Sequence, residues 1–179
     1  MPSIFKLTNH EVFTITANGA VPCGFLATWV LPASLMEGTP RLLILASPEN
    51  YTTKEILKTS RFVIHLLSKD QVELVPRFGL DASDKMDKFS NLETEPSDYG
   101  PIIKGCAGHH FCELAASYDI GERYIFIGDV KGGDVDLDAL PLRKNEAFAA
   151  LPLEVREKLM EKHAILGKNA PLLFKKNLP

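Results

Sequence analysis

Two strand-like runs, Phe111–Tyr118 and Tyr124–Val130, are separated only by Asp119-Ile120-Gly121-Glu122-Arg123. So short a connection joins strands only in antiparallel fashion, because a parallel return needs a dozen residues or more. The rest of the chain repeats the theme. Glu11–Ala17 mixes β-branched and aromatic residues and stops at Asn18-Gly19, a strong turn signal. Phe25–Leu31 and Arg41–Ala46 read as buried strands on either side of a Pro32–Pro40 loop. Arg61–Leu67 reads as another, with Phe62, Ile64 and Leu66 on one face and Val63, His65 and Leu67 on the other. Six short strands without long crossover helices predict a mainly β fold, a barrel rather than a doubly wound sheet.

The helical signals are connectors and a tail. Thr52-Thr53-Lys54-Glu55 has the form of a capping box, and Asp70-Gln71-Val72-Glu73 opens a second short helix that bends or ends near Pro76. Leu151–Ile165 carries Pro152 just inside its start and Leu153, Arg156, Leu159, Met160 and His163 at helical spacing. It predicts an amphipathic helix that packs on the barrel or on a partner subunit. We therefore expect a split-barrel domain over residues 1–140 and a helical tail over 141–179. At 179 residues the chain can bury a substantial core.

Charge and cysteine content narrow the function classes. The net charge is −3 and the basic residues are scattered, which offers no footprint for nucleic acid. The start, Met1-Pro2-Ser3-Ile4-Phe5-Lys6, lacks the apolar stretch of a signal peptide. No apolar run is long enough for a bilayer, so a soluble cytoplasmic protein is expected, with Cys23, Cys106 and Cys112 as thiols. Cys106-Ala107-Gly108-His109-His110-Phe111-Cys112 has the right atoms for zinc or copper. Yet no second ligand pair follows, and the adjacent histidines point to opposite faces of a strand, so no metal is expected. Asp134, Asp136 and Asp138 open like a calcium loop, but Ala139 and Asn145 stand where that loop needs Gly and Glu. No dinucleotide fingerprint, phosphate loop or Gly-x-Ser-x-Gly elbow is present, and Gly132-Gly133 is read as a turn.

Two segments keep chemical potential. Asn50-Tyr51-Thr52-Thr53 begins a helix just after a strand and Ser47, so its N–H groups and hydroxyls can hold a phosphate. In the ordinary reading, Thr52 simply caps the helix. Arg77, Lys85 and Lys88 are candidate counter-charges. Gly24–Ser34 sets small Ala27 and Thr28 beside Trp29, the only tryptophan, and runs into a Pro-containing loop. It can offer a flat wall to a planar ring, or be a core strand; periodicity does not choose.

The order of these segments resembles the flavin reductase-like family of FMN-binding split barrels. The resemblance runs over about residues 10–135. It rests on Gly24–Ser34, Leu42–Ala46, Tyr51-Thr52, Arg61–Leu67, Pro76–Gly79, Asp87-Lys88-Phe89 and the Pro101–Val130 hairpin region, with Cys112 and Gly128-Asp129-Val130 at familiar places. It implies that Ala27, Thr28, Trp29, Val30 and Leu31 contact the flavin ring, and that Ser47, Asn50, Tyr51, Thr52 and Thr53 hold its phosphate. It also implies that Arg77, Phe78, Gly79 and Lys88 lie beside phosphate and ring. The implied cofactor is FMN, with FAD as an alternative, reduced by NAD(P)H in a homodimer. Leu26 stands where many members have Thr or Ser, and Gly121-Glu122-Arg123 replaces a common Gly-Asp-His. The expected activity is hydride transfer to flavin; the alternative is a non-catalytic flavin- or haem-binding module.

Overall fold

The computed structural model describes residues 3–36, 40–80 and 82–174. Its strands are β1 (Phe13–Ala17), β2 (Cys23–Ala27), β3 (Val30–Pro32), β4 (Arg41–Ala46) and β5 (Arg61–Leu66). They continue with β6 (Thr94–Glu95), β7 (Ile102–Ile103), β8 (Gly108–Asp119) and β9 (Tyr124–Val135). All but β6 and β7 form one antiparallel sheet in the order β2-β1-β5-β8-β9-β4-β3. The edge strands β2 and β3 are consecutive in the chain, with only Thr28 and Trp29 between them. So short a link forces the sheet to curl until its two edges face each other. The result is the half-open barrel that the strand pattern predicts.

The expected single strand Phe25–Leu31 is therefore two strands on opposite edges. Its apolar run hides the break, because Thr28-Trp29 crosses the split rather than turning at a Gly or Pro. At the crossing, the Trp29 carbonyl accepts from the Leu45 N–H at 3.1 Å, which ties the crossover to β4. Residues 37–39 of the expected Pro32–Pro40 loop lie outside the described residues.

Two apolar clusters fill the molecule. One fills the barrel with Ile15, Phe25, Ile44, Phe62, Ile64 and Phe126. The other packs Val12, Leu67, Leu74, Phe78, Ile103 and Leu142 beneath the connecting helices. Strand β5 is covered on both faces, with Phe62, Val63, Ile64 and His65 all buried, which is why its sequence is so continuously apolar. His65 is held between two backbones: its Nε2 accepts from the Ile103 N–H at 3.1 Å, and its Nδ1 faces the Thr14 carbonyl at 3.1 Å. Because Nε2 accepts, the ring proton sits on Nδ1 and donates to Thr14. Burial pushes the imidazole down to about 3.

The helices are α1 (Tyr51–Thr59), α2 (Leu74–Gly79), α3 (Lys144–Ala150) and α4 (Leu153–Leu173). The capping box expected at Thr52 does not form. Asn50 is the N-cap, with no side-chain cap bond, because a turn from Ser47 (Asn50 N–H to Ser47 O, 3.2 Å) starts the helix earlier. Thr52 is buried in the first turn, and Glu55 pairs with Lys58 at 2.7 Å. Asp70 likewise opens no helix. Gln71 closes a turn onto Ser68 and gives its amide to the Lys104 carbonyl at 2.7 Å, so α2 starts at Leu74. Pro76 then falls in the first turn, where its missing N–H costs nothing.

Gly132-Gly133 is not a turn but lies inside β9, opposite Phe111 and His110. The ladder slips at Phe111/Cys112, and a Cβ on Gly133 would lie 2.0 Å from the His109 carbonyl oxygen at a φ of +145°. Gly133→Ala is expected to cost at least ~3 kcal/mol, from backbone strain plus overpacking, measured by urea unfolding. Across the described residues, no three His, Cys, Asp or Glu side chains come together as metal ligands, and no helix is long and apolar enough to cross a membrane.

The tail helix also departs from expectation. No α4 residue is buried, and its apolar residues are not gathered in one stripe. Leu153 and Met160 face solvent, whereas Val155 and Leu159 are the ones that touch the second cluster. Upstream of α4, Ala147 and Leu151 are buried in that cluster.

Candidate functional site

At the split of the barrel lies a cavity of about 210 Å³. Its floor is β2 from Gly24 to Ala27 and the crossing residues Thr28 and Trp29. Ser47, Asn50, Tyr51 and Thr52 bring the start of α1 to it; Phe78 and Gly79 bring the end of α2. Ala82, Ser83, Lys88 and Arg123 complete the rim, with Lys162, His163 and Leu166 of α4 across the top.

The exposed edge of β2 is satisfied by side chains rather than by another strand. Ser83 Oγ accepts from the Gly24 N–H at 3.0 Å and faces the Gly24 carbonyl at 3.1 Å. Lys88, only 2% exposed, donates to the Gly24 carbonyl at 3.0 Å and to the Phe78 carbonyl at 3.3 Å. Its ammonium also lies 5.6 Å from the Phe78 ring centre. Gly24 leaves no room for a side chain here, since a Cβ would sit 2.9 Å from Phe78 Cε1 and 3.0 Å from the Ile15 carbonyl oxygen. A strand edge is thereby stitched to the end of α2 by a buried cation.

At the other end, Arg123 from the β8–β9 turn lies over Trp29, 5.6 Å from the ring centre. Its guanidinium also donates to the Glu122 carbonyl at 2.6 Å. Trp29 is 43% exposed, so the flat pair forms an open shoulder of the cavity. The thiols supply no nucleophile. Burial pushes Cys23 up to about 11, and Cys106 and Cys112 up to about 12, so all three are protonated at neutral pH.

The structure brings together Ala27, Thr28, Trp29, Ser47, Asn50, Tyr51, Thr52, Phe78, Gly79 and Lys88 around this cavity. It does not bring four other expected residues there. Val30 and Leu31 continue into β3 and line a second, apolar cavity of about 350 Å³ with Phe13, Leu42 and Val130. Thr53 is fully buried in α1, its hydroxyl without a hydrogen-bond partner. Arg77 turns away and donates to the carbonyls of Lys88 (3.4 Å) and Ser90 (3.0 Å), so it shapes the segment that carries Lys88. Sequence reasoning misses Ser83, Lys162, His163 and Leu166 as cavity residues. The signal for Lys162 and Leu166 is the spacing Val155, Leu159, Lys162, Leu166, one face of a helix, obscured because a lysine interrupts its apolar residues; His163 stands beside that face.

The donor set fits a phosphorylated planar ligand. The first turn of α1 opens on the cavity without a side-chain cap, so its N–H groups and dipole favour an anion. Lys88, Arg123 and Lys162 add positive charge around the same space. The Trp29–Arg123 shoulder and the flat run of Ala27-Thr28 suit an aromatic ring.

Comparison with known proteins points to one family. The chain is similar to the reductase subunit HsaB of a flavin-dependent monooxygenase from Mycobacterium tuberculosis, 29% identical over 117 residues, covering 65% of this chain and 60% of that protein. It is similar to a flavin reductase from Pseudomonas putida, 33% identical over 93 residues, covering 51% of this chain and 53% of the relative. The matches thus span roughly half to three-fifths of these relatives' lengths. Among solved structures, nitrilotriacetate monooxygenase component B from Mycobacterium thermoresistibile superposes with a TM-score of 0.67 at 28% identity, covering 76% of this chain and 75% of that one. The sequence profile of the flavin reductase-like domain matches residues 5–152, a span that takes in every strand and the helices α1, α2 and α3. By that match the chain belongs to the flavin reductase-like domain family.

Proposed function

We propose that the cavity at the split binds FMN, and that the protein passes hydride from NAD(P)H to flavin. The observation that carries this reading is the convergence of the uncapped α1 N-terminus and Lys88 on the same cavity as the Trp29–Arg123 shoulder. The first elements suit a phosphate and the second an aromatic ring system. Bound flavin supplies the two-electron acceptor, while the protein supplies position and exclusion of water. Thr28 and the backbone of β2 set the plane of the ring, Asn50–Thr52 and Lys88 fix the phosphate, and Arg123 guards the open shoulder. No side chain is assigned as acid or base, because hydride transfer requires neither.

The names of the relatives support a reductase working beside a separate oxygenase, and we extend that pairing to this chain as part of the proposal. We also propose a homodimer. Leu31 and Val135 are about half exposed beside the apolar second cavity, a surface suited to a second copy.

The test titrates the purified protein with FMN, FAD and riboflavin and follows quenching of Trp29, the only tryptophan. NADH and NADPH oxidation is then measured with each flavin. Saturable FMN quenching and flavin-dependent nicotinamide oxidation faster than the uncatalysed rate are expected. Quenching with no acceleration leaves only the non-catalytic binding module; no quenching removes the flavin reading altogether.

A further inference from the structure

Helix α4 lies beyond the family-matched span, which ends at residue 152, yet it closes the top of the cavity with Lys162, His163 and Leu166. Its hold on the body is narrow. Leu159 packs against Gly79, where an added Cβ would sit 3.1 Å from the Leu159 methyl. Lys162 donates to the Gly79 carbonyl at 2.8 Å and to the Leu80 carbonyl. Val155 and Leu159 rest on the second cluster only partly buried, and none of the 21 residues of α4 is fully buried. The segment before it is firmly seated, with Ala147 and Leu151 buried, so any movement of α4 pivots at the exposed Pro152.

The space enclosed beneath α4 is smaller than a cofactor-sized ligand ordinarily fills. Cofactor-sized ligands occupy pockets of roughly 300–1,000 Å³, and the cavity under α4 is about 210 Å³. We propose that α4 is a displaceable lid that competes with the ligand for the cavity, and that flavin binds only to the fraction of molecules in which α4 has swung away. This rests on the flavin reading of the cavity. Closed lid and bound flavin exclude each other, which supplies the differential affinity that a population shift requires. Apparent affinity is then reduced by the fraction of molecules that are open.

The consequence runs against ordinary expectation for a residue near a binding site. Leu159 does not line the cavity, so Leu159→Ala removes no ligand contact and only loosens the seat of α4. The variant should bind FMN at least about threefold more tightly, through faster association with dissociation unchanged, as an increase in the open fraction dictates. A merely structural α4 would give unchanged or weaker binding, and either result overturns the proposal.

Movement is read directly from spin labels on Met160→Cys in α4 and Lys131→Cys in β9, two exposed positions in the full chain. The native thiols are protonated and poorly reactive, so labelling is selective. Saturating FMN should shift the interlabel distance by about a helix radius, ~5 Å, and Leu159→Ala should populate the shifted distance without ligand. An unchanged distance with FMN bound overturns the lid. If the wild-type chain quenches with no flavin, the flavin reading fails separately, and an unchanged distance in Leu159→Ala still overturns the lid.

Discussion

His65→Phe is expected to lose about 3 kcal/mol or more of folding stability at pH 7, because it strands two buried backbone groups at ~1–3 kcal/mol each. The ring volume is nearly kept, so little of the loss is cavity. What disappears is the acceptor for the Ile103 N–H and the donor to the Thr14 carbonyl. These two bonds clip β5 to β1 and to the short strand β7, three segments far apart in the chain. The same residue gives the wild-type protein an acid limb. Burial, the dominant cause, holds the native imidazole at about 3, and the neighbouring His109, 6.1 Å away between ring centres, lowers it further. The unfolded chain takes up a proton near pH 6.5, whereas the folded chain refuses it until about pH 3. Stability is therefore full above pH 6.5 and declines as the pH falls towards 3. The His65 contribution to that decline is about 2 kcal/mol between pH 7 and pH 5. Denaturant melts of both proteins across this range provide the check: the gap between wild type and His65→Phe should narrow by that amount on acidification. A gap that stays constant would show that His65 titrates alike in both states.

Lys88→Met is expected to weaken FMN binding by ~10–100-fold, the worth of one charge-assisted hydrogen bond of about 1.5–3 kcal/mol. Riboflavin, which lacks the phosphate, should be affected far less. The substitution keeps the length of the side chain but leaves the Gly24 and Phe78 carbonyls without this donor. A stability loss of about 2–4 kcal/mol should accompany it. The two effects separate experimentally. FMN and riboflavin affinities are compared at a temperature where the variant remains folded by circular dichroism. Equal losses for the two flavins would mean that Lys88 only braces β2 against α2. Lys88→Arg should recover part of the FMN selectivity, because the charge is retained in a bulkier form.

Much of the fold is legible because it is local. Arg41–Ala46 shows its strand through a short apolar run between turn residues, and the β8–β9 hairpin through the length of its connection. The break at Thr28-Trp29 is not legible, since it is fixed by closure of the sheet: the chain leaves one edge where the opposite edge happens to arrive. That single non-local fact sends Val30 and Leu31 to the second cavity, although they continue the same apolar run. The cap at Asn50 is missed for a related reason. The turn begun by Ser47 sets the start of α1, and no pattern within Thr52–Glu55 records it. Arg77 illustrates a third limit. Residue type announces a cation, but its bonds to the carbonyls of Lys88 and Ser90 show a brace that charge alone does not reveal.

The three thiols carry a consequence for endurance in service. Reduced flavin that escapes into aerated solution reacts with dioxygen and yields hydrogen peroxide, so a protein with the proposed activity works in its own stream of oxidant. Peroxide attacks thiolates, and susceptibility follows thiolate character and exposure. Cys23 and Cys112 are buried, and all three cysteines are held protonated by burial, at about 11 to 12. The chain therefore presents almost no thiolate to peroxide from the proposed turnover, and its cysteines should outlast its more exposed methionines, Met36, Met86 and Met160, as the first sites of oxidative wear.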